Sequence, residues 1–135
     1  MTTRMNDGPH RVIIEADGGS RGNPGPAAYG AVLKDADTGE VIAEDGTTLG
    51  RATHNVAEYS GLIAGLKLAE EFAPDADIEV RMDSKLVVEQ MSGRWKIKHP
   101  DMKPLAMEAN RRAGWPQWLD LPEAPAESRL TTSSV

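Results

Sequence analysis

Short apolar runs alternate with polar, glycine-rich stretches along the first part of the chain. They predict strands over residues 11–17, 27–34, 41–49 and 78–82, the first three joined as hairpins. Apolar residues at three-to-four spacing predict a long helix over 55–72, which Pro74 ends, and shorter helices over 84–93 and 101–113. This order predicts an α/β fold with a mixed sheet, three antiparallel strands followed by a parallel strand, and helices packed on it.

The domain boundaries follow from where this pattern starts and stops. We expect a flexible lead over residues 1–10, one domain over 11–113 and an irregular tail over 114–135, because the tail contains three closely spaced prolines and no strand or helix period. Such a tail cannot supply a regular strand. The fourth strand is therefore expected to have an unpaired edge, through which the protein can associate with itself.

Composition and charge bear on where the protein is located and on which partners it can bind. The chain has no cysteine, which fits a reducing cytoplasm, and no apolar run of the roughly 20 residues that a membrane span needs. The net charge of −6 argues against a nucleic-acid partner, but residues 81–112 contain eight basic and four acidic side chains, a local charge of +4. That stretch is equally compatible with a bound polyanion and with a solvated helix face.

Three carboxylates lie at the ends of predicted strands or near the start of a predicted helix. Asp17 ends the first strand before a glycine-rich segment, Glu58 is near the start of the long helix, and Asp83 ends the fourth strand. Each alone has an ordinary role, as a turn former, a partner of the helix dipole or a helix cap. Together they predict a site for Mg²⁺ or Mn²⁺, because these ions prefer oxygen ligands, and a pair of such ions supports phosphodiester cleavage.

Three ordered motifs resemble those of the type 1 ribonuclease H family, in its short archaeal and actinobacterial branch. They are DGGSRGNPG at 17–25, THNVAEY at 53–59 and DSKLV at 83–87, and WKIKHP at 95–100 is similar as well. The resemblance implies a ribonuclease H-like fold over about residues 11–110. It also implies an endonuclease that uses two divalent ions to hydrolyse the RNA strand of RNA–DNA hybrids, leaving 3′-hydroxyl and 5′-phosphate ends. Asp17, Glu58 and Asp83 would be the catalytic metal ligands.

The same resemblance implies the residues that contact the hybrid. Asn23 and the main chain of the glycine-rich motif would meet the RNA strand, Thr53 a DNA phosphate, and Asn55 the bases or sugars of the minor groove. His54 replaces an asparagine that is usual in the family. The full set of implied substrate contacts is Gly18, Gly19, Ser20, Asn23, Thr53, His54, Asn55 and Ser84.

The chain departs from the family after Asn110. The family continues with a fifth strand, a loop with a histidine, and a helix whose start supplies a fourth metal-binding aspartate, and none of these can be recognised here. Asp120 has no helix pattern behind it and is not expected to be the fourth ligand. Two alternatives therefore stay open: a catalytically impaired protein that binds hybrids, and a related nuclease that cuts duplex RNA.

Overall fold

The strands and helices follow the predicted order. A computed structural model describes residues 9–92, 97, 100–113 and 130–132. Its elements are β1 (Arg11–Ser20), β2 (Gly25–Asp35), β3 (Val41–Ala52), α1 (His54–Phe72), β4 (Asp77–Met82), α2 (Lys85–Met91), α3 (Lys103–Ala113) and β5 (Leu130–Thr132). The predicted fold class is confirmed. Helix α3 begins two residues later than expected, α1 one residue earlier, and most of the lead and tail lie outside the described residues.

Among the described residues, the sheet has five strands in the order β3-β2-β1-β4-β5. The hairpin strands β1, β2 and β3 are antiparallel, whereas β4 is parallel to β1. Helix α1 connects β3 to β4 and packs across β1 and β2. No helix in the described part of the chain is long and apolar enough to cross a membrane.

Strand β1 is longer than its apolar run. Gly18, Gly19 and Ser20, which the pattern assigns to a turn, are the last residues of β1 and pair with residues 27–29 of β2. The parallel pairing with β4 ends earlier, at Ala16 and Met82. The predicted end of β1 is therefore wrong: glycine suits turns by its own conformational preference, but here the neighbouring strand continues and keeps the segment extended.

Strand β5 corrects the prediction for the tail. Leu130–Thr132 pairs in parallel with Val80–Met82 of β4. The expectation that the tail supplies no strand is wrong, and so is the expectation of an open β4 edge over residues 80–82. The prolines that argued against a strand all precede this segment. Residues 130–132 include no proline, so each has a backbone N–H group, and three such residues are enough to extend the sheet. Residues 114–129 lie outside the described part of the chain.

Helix α1 is bounded by local signals and held by an apolar core. The Thr53 hydroxyl accepts a hydrogen bond from the backbone N–H of Val56 at 3.2 Å, and Ala73, just before Pro74, is the C-cap. The core joins α1, the sheet, α2 and α3. It contains Val12, Ile14, Ala16, Leu33, Tyr59, Leu62, Ile63, Leu66, Ala69, Ala73, Val80, Met82, Val87, Val88, Met91, Met102, Ala106, Ala109 and Ala113.

Candidate active site

Two of the predicted acids lie side by side at one edge of the sheet. Ala16 of β1 and Met82 of β4 form the last parallel pair, and Asp17 and Asp83 are the next residues on the two strands. Both are exposed. The carboxyl ends of parallel strands are where open α/β sheets bind ligands. The register therefore places Asp17 and Asp83 at a suitable position for a site.

Glycines bring α1 close to β1 at this edge. A Cβ on Gly61 would lie only 2.9 Å from the carbonyl oxygen of Asp17, and a Cβ on Gly18 would collide with the carbonyl of Ala57. Only residues without a side chain permit this distance between helix and strand. The close packing brings Glu58, the residue after Ala57, next to Asp17.

Glu58 is the buried member of the site. It is 5 % exposed, and its Oε1 lies 3.0 Å from Nε2 of His54, one turn earlier on α1. Burial raises the pKa of the Glu58 carboxyl above its ordinary value, the charge of His54 and the hydroxyl of Ser84 oppose that rise, and the charge of Asp17 adds to it. The ionised carboxylate is thus disfavoured on its own, and a bound cation would stabilise it.

The three acids do not form a closed ligand cluster. In the described ranges, no three His, Cys, Asp or Glu side chains are grouped closely enough to hold a metal ion. Asp17 and Glu58 are close enough for their charges to interact, and Asp83 is adjacent to Asp17 along the sheet edge. All three offer carboxylate oxygens, the donors that Mg²⁺ and Mn²⁺ prefer. The donor chemistry fits a hard divalent cation, although the side chains are not gathered around one.

Several predicted substrate contacts also have structural roles that the sequence does not reveal. Asn23 Oδ1 accepts a hydrogen bond from the backbone N–H of His54 at 3.0 Å, which ties the glycine-rich turn to the start of α1. The Ser20 hydroxyl donates to the carbonyl of Gly22 at 2.6 Å. Thr53 caps α1, and Asn55 is half-buried in the first turn. The turn and the helix start are therefore one connected unit beside Asp17.

Ser84 has two partners at the site. Its hydroxyl accepts a hydrogen bond from the backbone N–H of Val87 at 3.2 Å and so caps α2. The same side chain interacts with the carboxylate of Glu58, where it favours the ionised form. Ser84 is itself buried. The partner that Ser84 has in the structure is Glu58, and its contact with substrate stays a prediction.

An open groove of about 790 Å³ extends from the glycine-rich motif across β2 and β3. Arg21 and Arg51 are the charged residues of its lining, which is otherwise small and apolar or hydroxylated: Gly19, Ser20, Pro26, Ala27, Ala28, Thr48 and Gly50. Sequence reasoning missed both arginines, although Arg21 lies inside the first motif and Arg51 two residues before the second. A groove with two guanidinium groups suits a phosphate backbone.

Known proteins share this architecture. A family profile described as reverse transcriptase-like matches residues 15–112. The bifunctional protein Rv2228c of Mycobacterium tuberculosis is 61% identical over 103 residues, which are 76% of this chain and 28% of that protein. Ribonuclease HI of Halobacterium salinarum is 49% identical over 109 residues, which are 80% of this chain and 54% of that protein. The chain thus spans about a quarter and about half the length of these two relatives.

Solved structures agree. The N-terminal RNase H domain of Rv2228c superposes with a TM-score of 0.73 at 61% identity, covering 77% of this chain and 79% of that one. LC11-RNase H1 in complex with an RNA/DNA hybrid superposes with a TM-score of 0.71 at 35% identity, covering 92% and 84%. Fold and acidic site define a ribonuclease H-like α/β protein. Within that class, the chain belongs to the type 1 ribonuclease H family.

Proposed function

We propose that this protein is a metal-dependent endonuclease that hydrolyses the RNA strand of RNA–DNA hybrids and leaves 3′-hydroxyl and 5′-phosphate ends. The observation that carries the proposal is that Asp17 and Asp83 lie where the parallel pairing of β1 and β4 ends, with Glu58 of α1 next to Asp17 and a groove with two arginines close by. A relative of known structure was solved with an RNA/DNA hybrid, which supports this class of substrate.

The electrostatics of the acids support a cationic cofactor. A buried carboxylate beside a second one is costly without compensation, and the pKa of Glu58 is raised for this reason. Mg²⁺ or Mn²⁺ would be held by Asp17, Glu58 and Asp83, two ions being expected with substrate. Bound there, the ions would supply an activated water and stabilise the leaving oxygen.

The remaining residues would bind and orient the hybrid. Gly19 and Ser20 line the groove, and Gly18 lies between them and Asp17 on β1, so the backbone groups of this segment would contact sugar hydroxyls of a bound strand. Contacts to the 2′-hydroxyl are how a protein distinguishes RNA from DNA without reading bases. Arg21 and Arg51 would bind phosphates along the groove, and this sequence-independent attraction positions the strand.

The test is a cleavage assay with four end-labelled substrates of the same sequence: an RNA–DNA hybrid, duplex RNA, duplex DNA and single-stranded RNA. Each is incubated with Mg²⁺, with Mn²⁺ or with excess chelator. We expect cutting of the hybrid RNA only, and only with a metal ion. We also expect Mn²⁺ to activate better, because it binds oxygen and nitrogen sites more tightly than Mg²⁺ and three carboxylates hold an ion less firmly than four.

Other outcomes identify the alternatives. Cleavage of duplex DNA, or cleavage in chelator, contradicts the proposal. Cleavage of duplex RNA at a similar rate indicates a broader nuclease. Binding of the hybrid in a gel-shift assay, with no cleavage in either metal, indicates a catalytically impaired hybrid-binding protein. In the described residues the three acids are not gathered closely enough to hold an ion, so the assay has to test this last alternative directly.

A further inference from the structure

A buried hydrogen bond joins α1, which carries Glu58, to α2, which begins shortly after Asp83. The hydroxyl of Tyr59, on α1, donates to Oε1 of Gln90, on α2, at 2.6 Å. Tyr59 is fully buried and Gln90 is 3 % exposed, so neither can contact a substrate. The proposed catalytic chemistry has no use for this pair, although a polar pair inside an apolar core has a cost that a purely apolar pair avoids.

The position of the pair gives it a link to the site. Tyr59 directly follows Glu58, and α2 begins two residues after Asp83. A restraint between the two helices therefore restrains the acid on α1 relative to the acid at the end of β4. The second connection is the contact between the side chains of Ser84 and Glu58, which are both buried as well.

A hydrogen bond also imposes a direction that apolar packing does not. Val87, Val88 and Met91 of α2 lie in the same core cluster as Tyr59, and such contacts tolerate small rotations of one helix against the other. A bond from a phenolic hydroxyl to one amide oxygen weakens steeply as its distance and angle change. It can thus hold α2 in one orientation against α1, which apolar contacts alone would not define.

We propose that Tyr59 and Gln90 are positioning residues that fix the arrangement of Glu58 relative to Asp83 and thereby set the affinity of the site for divalent cations. This inference rests on the proposed function, because it assigns these acids to one metal site. It predicts that loss of the Tyr59 hydroxyl weakens metal binding more than it weakens binding of the hybrid, since no part of the pair reaches the groove residues.

The chain offers a matched control for this test. It has only two tyrosines, and the other one, Tyr29, donates its hydroxyl to Oδ2 of Asp45 at 3.2 Å, between β2 and β3. Tyr59→Phe and Tyr29→Phe thus remove the same atom from two different hydrogen bonds. Gln90→Met removes the acceptor from the other side, and it carries the test if Tyr59→Phe does not fold.

Mn²⁺ binding is measured for each folded variant by calorimetry and by electron paramagnetic resonance, neither of which requires turnover. Thermal melting is recorded with and without the ion, and the hybrid KM is measured at saturating metal. We expect Tyr59→Phe and Gln90→Met to weaken Mn²⁺ binding by about three- to tenfold, the range that one net hydrogen bond represents. Tyr29→Phe should bind Mn²⁺ within about twofold of the wild type, and the hybrid KM should stay unchanged in all three.

Three results overturn the inference. If Tyr59→Phe melts at a lower temperature yet binds Mn²⁺ as the wild type does, the bond is structural only. If Tyr29→Phe weakens Mn²⁺ binding equally, the effect reflects a general loss of stability. A wild type that binds no Mn²⁺ and cuts no hybrid contradicts the proposed function itself, whereas the first two results leave that function intact.

Discussion

The close packing of α1 on β1 can be tested at Gly61. The substitution Gly61→Ala places a Cβ 2.9 Å from the carbonyl oxygen of Asp17, whereas ordinary contacts begin near 3.4 Å. The obstacle is backbone and cannot rotate away, so the helix has to move out by about 0.5 Å or more. That movement separates Glu58 from Asp17, the pair on which the site depends.

The expected loss of stability follows from two opposing terms. Overpacking costs about 1–3 kcal/mol, and replacing glycine by alanine inside a helix returns roughly 0.5–1 kcal/mol. The net loss of about 0–2.5 kcal/mol corresponds to a melting temperature lower by up to about 10 °C. We also expect hybrid cleavage to slow by about tenfold or more, because catalysis is sensitive to sub-ångström displacement of reacting groups.

Gly30→Ala is the matched control. Gly30 pairs with Asp17 in the neighbouring strand, and a Cβ added there meets no atom within 4 Å. Thermal melting and single-turnover cleavage are measured for both variants, and Gly30→Ala should match the wild type in both. The reasoning is refuted if Gly61→Ala melts and cleaves as the wild type does, or if Gly30→Ala is equally impaired.

Three further predictions concern charge and burial. Because the pKa of Glu58 is raised, the folded protein loses stability as pH rises from 4.5 through the folded-state pKa. Glu58→Gln should therefore melt at a higher temperature than the wild type at neutral pH, with no advantage well below pH 4.5. A difference in melting temperature that stays the same at all pH values would contradict this. Asn110 is fully buried, and its side-chain amide has no hydrogen-bond partner in the described part of the chain. Asn110→Leu should therefore add about 1–3 kcal/mol to the free energy of unfolding. A lower melting temperature for this variant would indicate that the amide does have a hydrogen-bond partner. Arg21→Glu and Arg51→Glu should each raise the hybrid KM and lower the salt dependence of binding by about one phosphate contact. An unchanged dependence of binding on salt would show that the groove does not contact the hybrid.

The elements were predictable because their signals are local. The cap at Thr53, the stop at Pro74 and the apolar spacing between them lie within one stretch of about twenty residues, and α1 follows these signals to within one residue. The order of the elements was enough to predict that β4 is parallel to β1. That arrangement places Asp17 and Asp83 directly after the last parallel pair of the two strands, although β1 itself continues to Ser20.

What the sequence did not reveal depends on distant partners. Strand β1 continues through Gly18–Ser20 because β2 continues beside it, and β5 forms because the β4 edge accepts it. The hydrogen bond from the backbone N–H of His54 to Oδ1 of Asn23 joins residues 31 positions apart, and no local pattern encodes such a pair. Thr53 was predicted as a phosphate contact by resemblance alone, whereas its hydroxyl caps α1.

The central claim is that Asp17, Glu58 and Asp83 act together on the RNA strand of a hybrid. Single-turnover cleavage of a labelled hybrid in Mn²⁺, by the wild type and by Asp17→Asn, tests it most directly. The account predicts that the wild type cuts the RNA strand and that Asp17→Asn, folded and at least as stable without metal, is slower by orders of magnitude, since it removes a charge that stabilises the transition state. Equal rates for the two proteins would contradict it.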